Sequence, residues 1–100
     1  MSRARNLWWG YVRNILREYP RVTAEEHRAV SAAIQTTRTR RDGVERMRVV
    51  RMTLFDRTHT LEGAAACIPC SYATAKRWQQ DFIRDVARYY RCNNGLPIKN

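Results

Sequence analysis

The feature that most constrains the fold lies between residues 60 and 78, where a short alanine-rich run meets a proline and then a serine. Thr60 and Ser71 can each cap a helix, because a hydroxyl at that position accepts a hydrogen bond from an otherwise unpaired amide. Pro69 cannot continue a helix with a normal hydrogen bond. The small residues at 63–66 allow a close helix crossing. The segment therefore predicts two helices joined by a tight turn, a helix-turn-helix.

The second helix of this pair is predicted to have an apolar side and a polar side. Its apolar residues recur at steps of three and four, as in a buried helical stripe: Ala75, Trp78, Phe82, Val86 and Tyr89, widened by Ile83 and Tyr90. The opposite side near the start of the helix carries Tyr72, Ala73, Lys76, Arg77 and Gln80. Arg and Lys can pair with guanine, Gln with adenine, and Ala can meet a thymine methyl group.

These residue types predict that the second helix enters the major groove of DNA. We expect Thr74 and the start of the helix to hold a phosphate. Asp81 and Asp85 follow beyond this patch, so we expect the DNA backbone to turn away from them. Pro69 and Cys70 stand where such turns usually have Gly and a buried Val or Ile, which indicates a slightly different turn.

The rest of the chain also has helical spacing and almost no strand signal, which predicts an all-α fold of about four to five helices. The first predicted helix ends near Pro20 and has the stripe Leu7, Trp8, Tyr11, Val12, Ile15 and Leu16. The second begins at a Thr23–Glu26 capping box and runs to about Thr36. Its weak apolar stripe predicts a place at the rim. The third is expected to be capped by Asp42, with the apolar members Val44, Met47, Val50, Met52, Leu54 and Phe55.

This pattern predicts three parts. Residues 1–41 form an N-terminal helical arm, residues 42–92 form the helix-turn-helix domain, and residues 93–100 form a flexible tail. The charged stretch 36–43 between the first two parts is either a solvated linker or an extended end of the second helix.

The net charge of +10, from 19 basic and 9 acidic residues, favours a polyanionic partner. Only Lys76 and Lys99 are lysines, and the arginine fork suits phosphate, although a GC-rich genome would enrich arginine too. Together with the helix-turn-helix pattern, the charge favours double-stranded DNA over RNA or a membrane. No secretory signal or apolar span of about 20 residues is present, so a cytoplasmic location with reduced cysteines is expected.

Cys67 and Cys70 form a C-x-x-C motif, and Cys92 and His59 are further residues with zinc-binding side chains. A single C-x-x-C is a weak metal signal, and this one lies within the predicted turn. We expect Cys70 to point to the core and Cys67 to point away from it, so packing explains the pair better than metal binding. His27 and His59 have no acid or nucleophile at a telling spacing. The sequence therefore predicts neither an enzyme nor a cofactor.

The segment Leu54–Arg91 resembles phage transcriptional regulators of the RinA and ArpU type and is similar to region four of bacterial sigma factors. The likeness rests on two stretches, Thr58-His59-Thr60-Leu61-Glu62-Gly63-Ala64-Ala65 and Thr74-Ala75-Lys76-Arg77-Trp78. The run Trp8–Arg13 and the pair Tyr19-Pro20 are similar to the start of small prophage proteins with this domain. The resemblance implies control of late phage genes through promoter DNA in the bacterial host cytosol, with RNA polymerase as a further partner. It implies the same recognition residues.

Other functions stay open at this stage. Small terminase subunits, which recognise phage DNA for packaging, use similar helix-turn-helix units. An interaction module that docks on RNA polymerase through the first, aromatic helix is a third alternative. The cluster Trp8, Trp9 and Tyr11 is predicted to be core, with homodimerisation as the second option for it.

Overall fold

A computed structural model describes the backbone of residues 3–93 and the side chains of residues 9–90. This part of the chain forms five α-helices without a strand, which confirms the all-α prediction. The helices are α1 (Arg3–Glu18), α2 (Ala24–Thr39), α3 (Gly43–Val50), α4 (Leu61–Cys67) and α5 (Tyr72–Asn93), and a π-helix (Arg51–Phe55) continues α3. The tail predicted at 93–100 lies outside the described residues, apart from residue 93 at the end of α5.

The start of α2 has the predicted capping box. The amide of Glu26 donates to Thr23 Oγ1 over 3.1 Å, and the amide of Thr23 donates to Glu26 Oε1 over 3.1 Å. The helix runs on to Thr39, so the first half of the charged stretch 36–43 is an extended end of α2.

The predicted rim position of α2 is wrong. Ala29, Val30 and Ala33 have no exposed surface, and α2 packs along α5 in the middle of the molecule. The prediction weighed apolar area alone. Small alanines allow the two helix backbones to approach closely, so the helix is buried although its side chains are short.

The start of α3 differs from the prediction in two ways. Asp42 stands at the N-cap position, but its backbone is left-handed, with φ 60° and ψ 31°, and its side chain makes no capping hydrogen bond. The turn is so tight that a Cβ on residue 43 would lie 2.5 Å from the carbonyl oxygen of Arg38, which explains the glycine there. Val44, expected in the apolar stripe, is 72% exposed, whereas Val49 is fully buried. The turn sets a rotation of α3 that the apolar pattern did not indicate.

The larger core cluster combines α1, α2, α3, the π-helix and α5. Its buried members are Val12, Ile15, Leu16, Ala29, Val30, Ala33, Val50, Leu54, Phe82, Ile83, Val86 and Ala87. Side chains from both sides of the expected boundary after residue 41 therefore share one core.

A smaller cluster joins α3, α4 and α5. Val49, Ala65, Ile68, Ala75 and Trp78 are its buried members. This cluster fixes α4 and the first turns of α5 on α3. Within the described residues, no helix combines the length and the apolar character that a membrane crossing requires.

Candidate nucleic-acid interface

The turn between α4 and α5 is held by local hydrogen bonds and by one apolar anchor. Ile68 has an extended backbone, with φ −110° and ψ 103°, and its side chain is buried in the smaller core cluster. The amide of Thr74 donates to Ser71 Oγ over 3.0 Å, so Ser71 caps α5 as predicted. Thr60 caps α4 in the same way, because the amide of Gly63 donates to its Oγ1 over 3.0 Å. The helix-turn-helix geometry thus follows from caps that the sequence specifies.

The first turns of α5 separate buried from exposed side chains. Ala75 and Trp78 are buried against α4 and α3. Five of the six residues predicted to contact DNA lie on the other side of the helix, and we call them the reading face: Tyr72, Ala73, Lys76, Arg77 and Gln80. The first four are exposed, with Tyr72 at 48%, and Gln80 is half-buried.

Thr74, the sixth predicted residue, lies at the start of α5, half-buried at the edge of the reading face. Its hydroxyl accepts a hydrogen bond from Ser71 Oγ over 2.9 Å. Successive residues of a helix are 100° apart, so Thr74 is about 160° from Tyr72 and about 60° from Arg77 around the axis. Thr74 therefore completes the cap, and the remaining five residues make up the exposed side.

The two carboxylates of α5 are paired with arginines. Asp81 lies 3.2 Å from Arg46 and 3.3 Å from Arg84. Asp85 lies 3.0 Å from Arg40 and 3.5 Å from Arg88. Four guanidinium groups thus surround the two acids, and among the described side chains neither Lys76 nor Arg77 forms an ion pair with them.

Burial affects the acid chemistry of Asp85. Its removal from water raises the pKa of this carboxyl above the ordinary value, and the nearby Arg40 and Arg88 lower the pKa only in part. Arg40 approaches both carboxylate oxygens, because its second amino group donates to Oδ1 over 3.2 Å. Asp85 is therefore a structural ion-pair partner between the α2–α3 turn and α5.

A chain of hydrogen bonds places one further arginine beside the reading face. Arg13 on α1 donates to Gln79 Oε1 over 3.2 Å, and Gln79 Nε2 donates to Thr53 Oγ1 over 3.1 Å. Thr53 in turn donates to the carbonyl oxygen of Val49 over 2.7 Å. Arg13 and Tyr72 line the same concavity of about 320 Å³, where Glu62 adds one negative charge.

The sequence prediction did not include Gln79 or Arg13 in the site. The helical period could have identified Gln79, since it places this polar residue between the positions of Phe82 and Ile83 on the buried side of α5. Nothing local to Arg13 indicates its partner, which is 66 residues away.

The cysteines of the turn lie as predicted. Cys67 is exposed, and Cys70 is partly buried against the smaller core cluster. Among the described side chains, no group of three or more His, Cys, Asp or Glu residues is arranged to hold a metal ion. Cys92 lies outside the side chains that the structure describes.

Of the aromatic cluster predicted to be core, Trp9 is half-buried, whereas Tyr11 is 39% exposed, so the core prediction is wrong for Tyr11. Trp9 packs against the larger core cluster, while Trp8 lies outside the described side chains. Tyr11 donates to Glu26 Oε2 over 2.9 Å and is 3.1 Å from the hydroxyl of Tyr90. Burial and both hydrogen bonds raise the pKa of the Tyr11 hydroxyl. These contacts support the predicted core role of Trp9 and tie Tyr11 to α2 and α5.

Fold and site together define a small all-helical protein built around a helix-turn-helix with a basic exposed side. No protein-family model, curated protein or solved structure matches the chain.

Proposed function

We propose that this protein is a sequence-specific regulator of transcription that binds double-stranded DNA through the reading face. One observation carries the proposal: Tyr72, Ala73, Lys76 and Arg77 are all exposed on one side of the first turns of α5, while Trp78 holds the opposite side in the core. A helix that presents its first turns in this way fits the major groove, which is about 12 Å wide.

Each residue of the reading face has a chemically defined role in this proposal. Arg77 donates to the O6 and N7 acceptors of guanine, and Lys76 pairs with guanine or with a phosphate. Gln80 pairs with adenine, and Ala73 contacts a thymine methyl group. Tyr72 stands at the edge, where it flanks the sugar-phosphate backbone. The amides at the start of α5 favour an anion because of the helix dipole.

Arg13 adds a phosphate contact at the edge of the reading face. Its side chain is exposed, and its guanidinium is held by buried Gln79. Fixing a long side chain in advance lowers the entropy cost of binding. The remaining unpaired arginines supply affinity that depends on salt but not on sequence.

The biological setting follows from the resemblance of the segment 54–91 to phage regulators. We place the protein in the cytosol of a bacterial host, on the promoter of late phage genes, with RNA polymerase as a further partner. The net charge of +10 and the exposed reading face support the DNA contact itself. The late-gene setting and the polymerase contact rest on the resemblance.

Selection of bound fragments from random DNA tests the proposal. We expect a defined motif, and we expect Arg77→Ala to weaken binding to that motif by roughly 1–3 kcal/mol. Arg28→Ala is the matched control, because Arg28 is exposed on α2, whose Thr36 contacts α5 at Tyr89, away from the reading face. Equal losses for both variants, or no enriched motif, would contradict specific readout.

The symmetry of the selected motif and light scattering then address assembly. A palindromic motif with a dimer in solution fits a regulator that binds two half-sites. A ring-shaped oligomer that prefers a packaging site would replace transcription by DNA packaging as the function. Little DNA binding even at low salt would leave only the protein-interaction alternative.

A further inference from the structure

A groove of about 570 Å³ lies between the end of α1, the second half of α2 and one side of α3. Its floor is apolar, because Ile34, Met47 and Phe55 are half-buried there and Tyr19 closes one end. Val44 stands at the lip with 72% of its surface exposed. A recess of this size is within the range of binding pockets, and an exposed apolar residue beside it is typical of an interaction site.

The rim of the groove is basic. Arg38, Arg48 and Arg51 are exposed around it, against one acid, Asp56. No ion pair joins these three arginines to an acid among the described side chains, although other arginines of the protein are paired with Asp81 and Asp85. We call this site the arginine-rimmed groove.

One side of α3 lines the groove, and another side packs against the helices that carry the reading face. Val49 is buried in the cluster that supports α4 and α5, whereas Val44, Met47 and Arg48 line the groove. Residues 44 and 49 are about 140° apart around the helix axis. A ligand in the groove therefore leaves the helix-turn-helix free to hold DNA.

We propose that the arginine-rimmed groove docks an acidic amphipathic helix of a partner protein. The apolar stripe of such a helix fills the floor between Ile34, Met47 and Phe55, as in other helix-in-groove complexes. Its Glu and Asp residues flank that stripe and meet Arg38, Arg48 and Arg51. The proposal does not depend on the function of the reading face.

The chemistry of the groove disfavours other occupants. A second copy of this chain carries +10 charge and is repelled by the basic rim. DNA would satisfy the arginines but offers nothing to the apolar floor. A bilayer surface is flat and suits protruding apolar residues better than a recess.

The test uses a fluorescently labelled designed peptide with Leu at i, i+3, i+4 and i+7 and Glu at the flanking positions. A control peptide has Ser in place of each Leu and the same net charge. Fluorescence anisotropy at physiological salt measures binding to the full chain. We expect Val44→Ser and Arg48→Glu each to weaken binding of the Leu peptide about tenfold, a change of about 1.4 kcal/mol.

Two further variants separate the groove from the rest of the surface. Arg28→Glu changes the net charge as much as Arg48→Glu does, but Arg28 is outside the groove, so we expect its effect to be several-fold smaller. Arg77→Ala should leave peptide binding unchanged. Both substituted groove residues are exposed, and melting curves check that the variants fold.

The proposal is overturned by any of several results. These are equal binding of the Ser peptide, equal losses for Arg28→Glu and Arg48→Glu, or loss of peptide binding in Arg77→Ala. Binding to anionic vesicles that depends on Val44 and Arg48, without peptide binding, would assign the groove to lipid and also overturn it. DNA binding by the chain is measured separately, so failure of one proposal leaves the other standing.

Discussion

Arg13 donates a hydrogen bond to Gln79 over 3.2 Å and thereby ties the first helix to the proposed recognition helix. The two residues differ in their surroundings, because Arg13 is exposed and Gln79 is only 5% exposed. Gln79 is itself fixed by its bond to Thr53. A buried amide thus sets the position of a surface guanidinium beside the reading face.

This relationship predicts different effects for two substitutions. Arg13→Ala removes a charge, so we expect the slope of log affinity against log salt to fall by about 1 for any DNA sequence. Gln79→Met keeps the charge and most of the side-chain volume but removes both the acceptor for Arg13 and the donor to Thr53. We expect it to weaken DNA binding by roughly 0.5–1.5 kcal/mol while the slope is retained.

Titration of a labelled duplex at several salt concentrations measures both quantities, with Arg28→Ala as the control for loss of a remote charge. If Gln79→Met binds DNA like the unaltered protein, Gln79 does not position Arg13 for DNA. If Arg13→Ala and Arg28→Ala behave alike, Arg13 contributes only general charge.

Ser71→Ala tests whether the order of the first turn of α5 matters for binding. Loss of the N-cap is expected to cost about 1 kcal/mol of stability and to fray the turn that carries Tyr72 and Ala73. Thr60→Ala removes the same kind of cap from α4. We expect similar losses of stability in urea unfolding, but a larger loss of DNA affinity for Ser71→Ala. Equal losses of affinity would indicate an effect of global stability alone.

Local features of the sequence were sufficient to predict the helix caps and the buried side of α5. The caps at Thr23, Thr60 and Ser71 depend on residues three positions away, and each forms as predicted. The inward side of α5, including Trp78, follows from helical periodicity because a long, strongly patterned helix has only one apolar side.

Features that depend on distant parts of the chain were not predictable in this way. The burial of α2 results from the close approach of Ala29 and Ala33 to the rest of the core. The exposure of Val44 follows from the left-handed turn at Asp42, which rotates α3. Helical periodicity gives the spacing of a stripe, but it does not specify which neighbour covers it.

Thr37 offers a test of polar burial within this core. It is 2% exposed, and no hydrogen-bond partner of its hydroxyl is found among the described residues. Thr37→Val replaces that hydroxyl by a methyl group of similar shape. We expect it to raise the free energy of unfolding by about 1 kcal/mol, because an unpaired buried hydroxyl is costly.

The neighbouring residue is the matched control. Thr36 Oγ1 lies 2.6 Å from the hydroxyl of Tyr89, so Thr36→Val breaks a hydrogen bond and is expected to lower stability by about 1 kcal/mol. Urea unfolding of the two variants gives both values. Destabilisation by Thr37→Val as large as that by Thr36→Val would mean that the Thr37 hydroxyl has a partner in solution.

The raised pKa of Asp85 predicts how stability depends on pH. Burial raises this pKa in the folded state, so the unfolded chain, with an ordinary Asp pKa of about 3.9, loses the proton first as pH rises. Ionisation therefore favours the unfolded state. Relative to Asp85→Asn, which does not titrate, the unaltered protein should lose stability from about pH 3 upward, until pH exceeds the raised pKa.

Denaturant unfolding of both proteins across this range measures the difference, and only its change with pH matters. Arg40→Met sharpens the test, because Arg40 lowers the pKa of Asp85 and its removal should extend the loss of stability to higher pH. In that background the comparison is again with Asp85→Asn. The opposite result can be seen in the protein that keeps Arg40. If its stability relative to Asp85→Asn rises with pH, the ion pair with Arg40 outweighs the cost of burying Asp85.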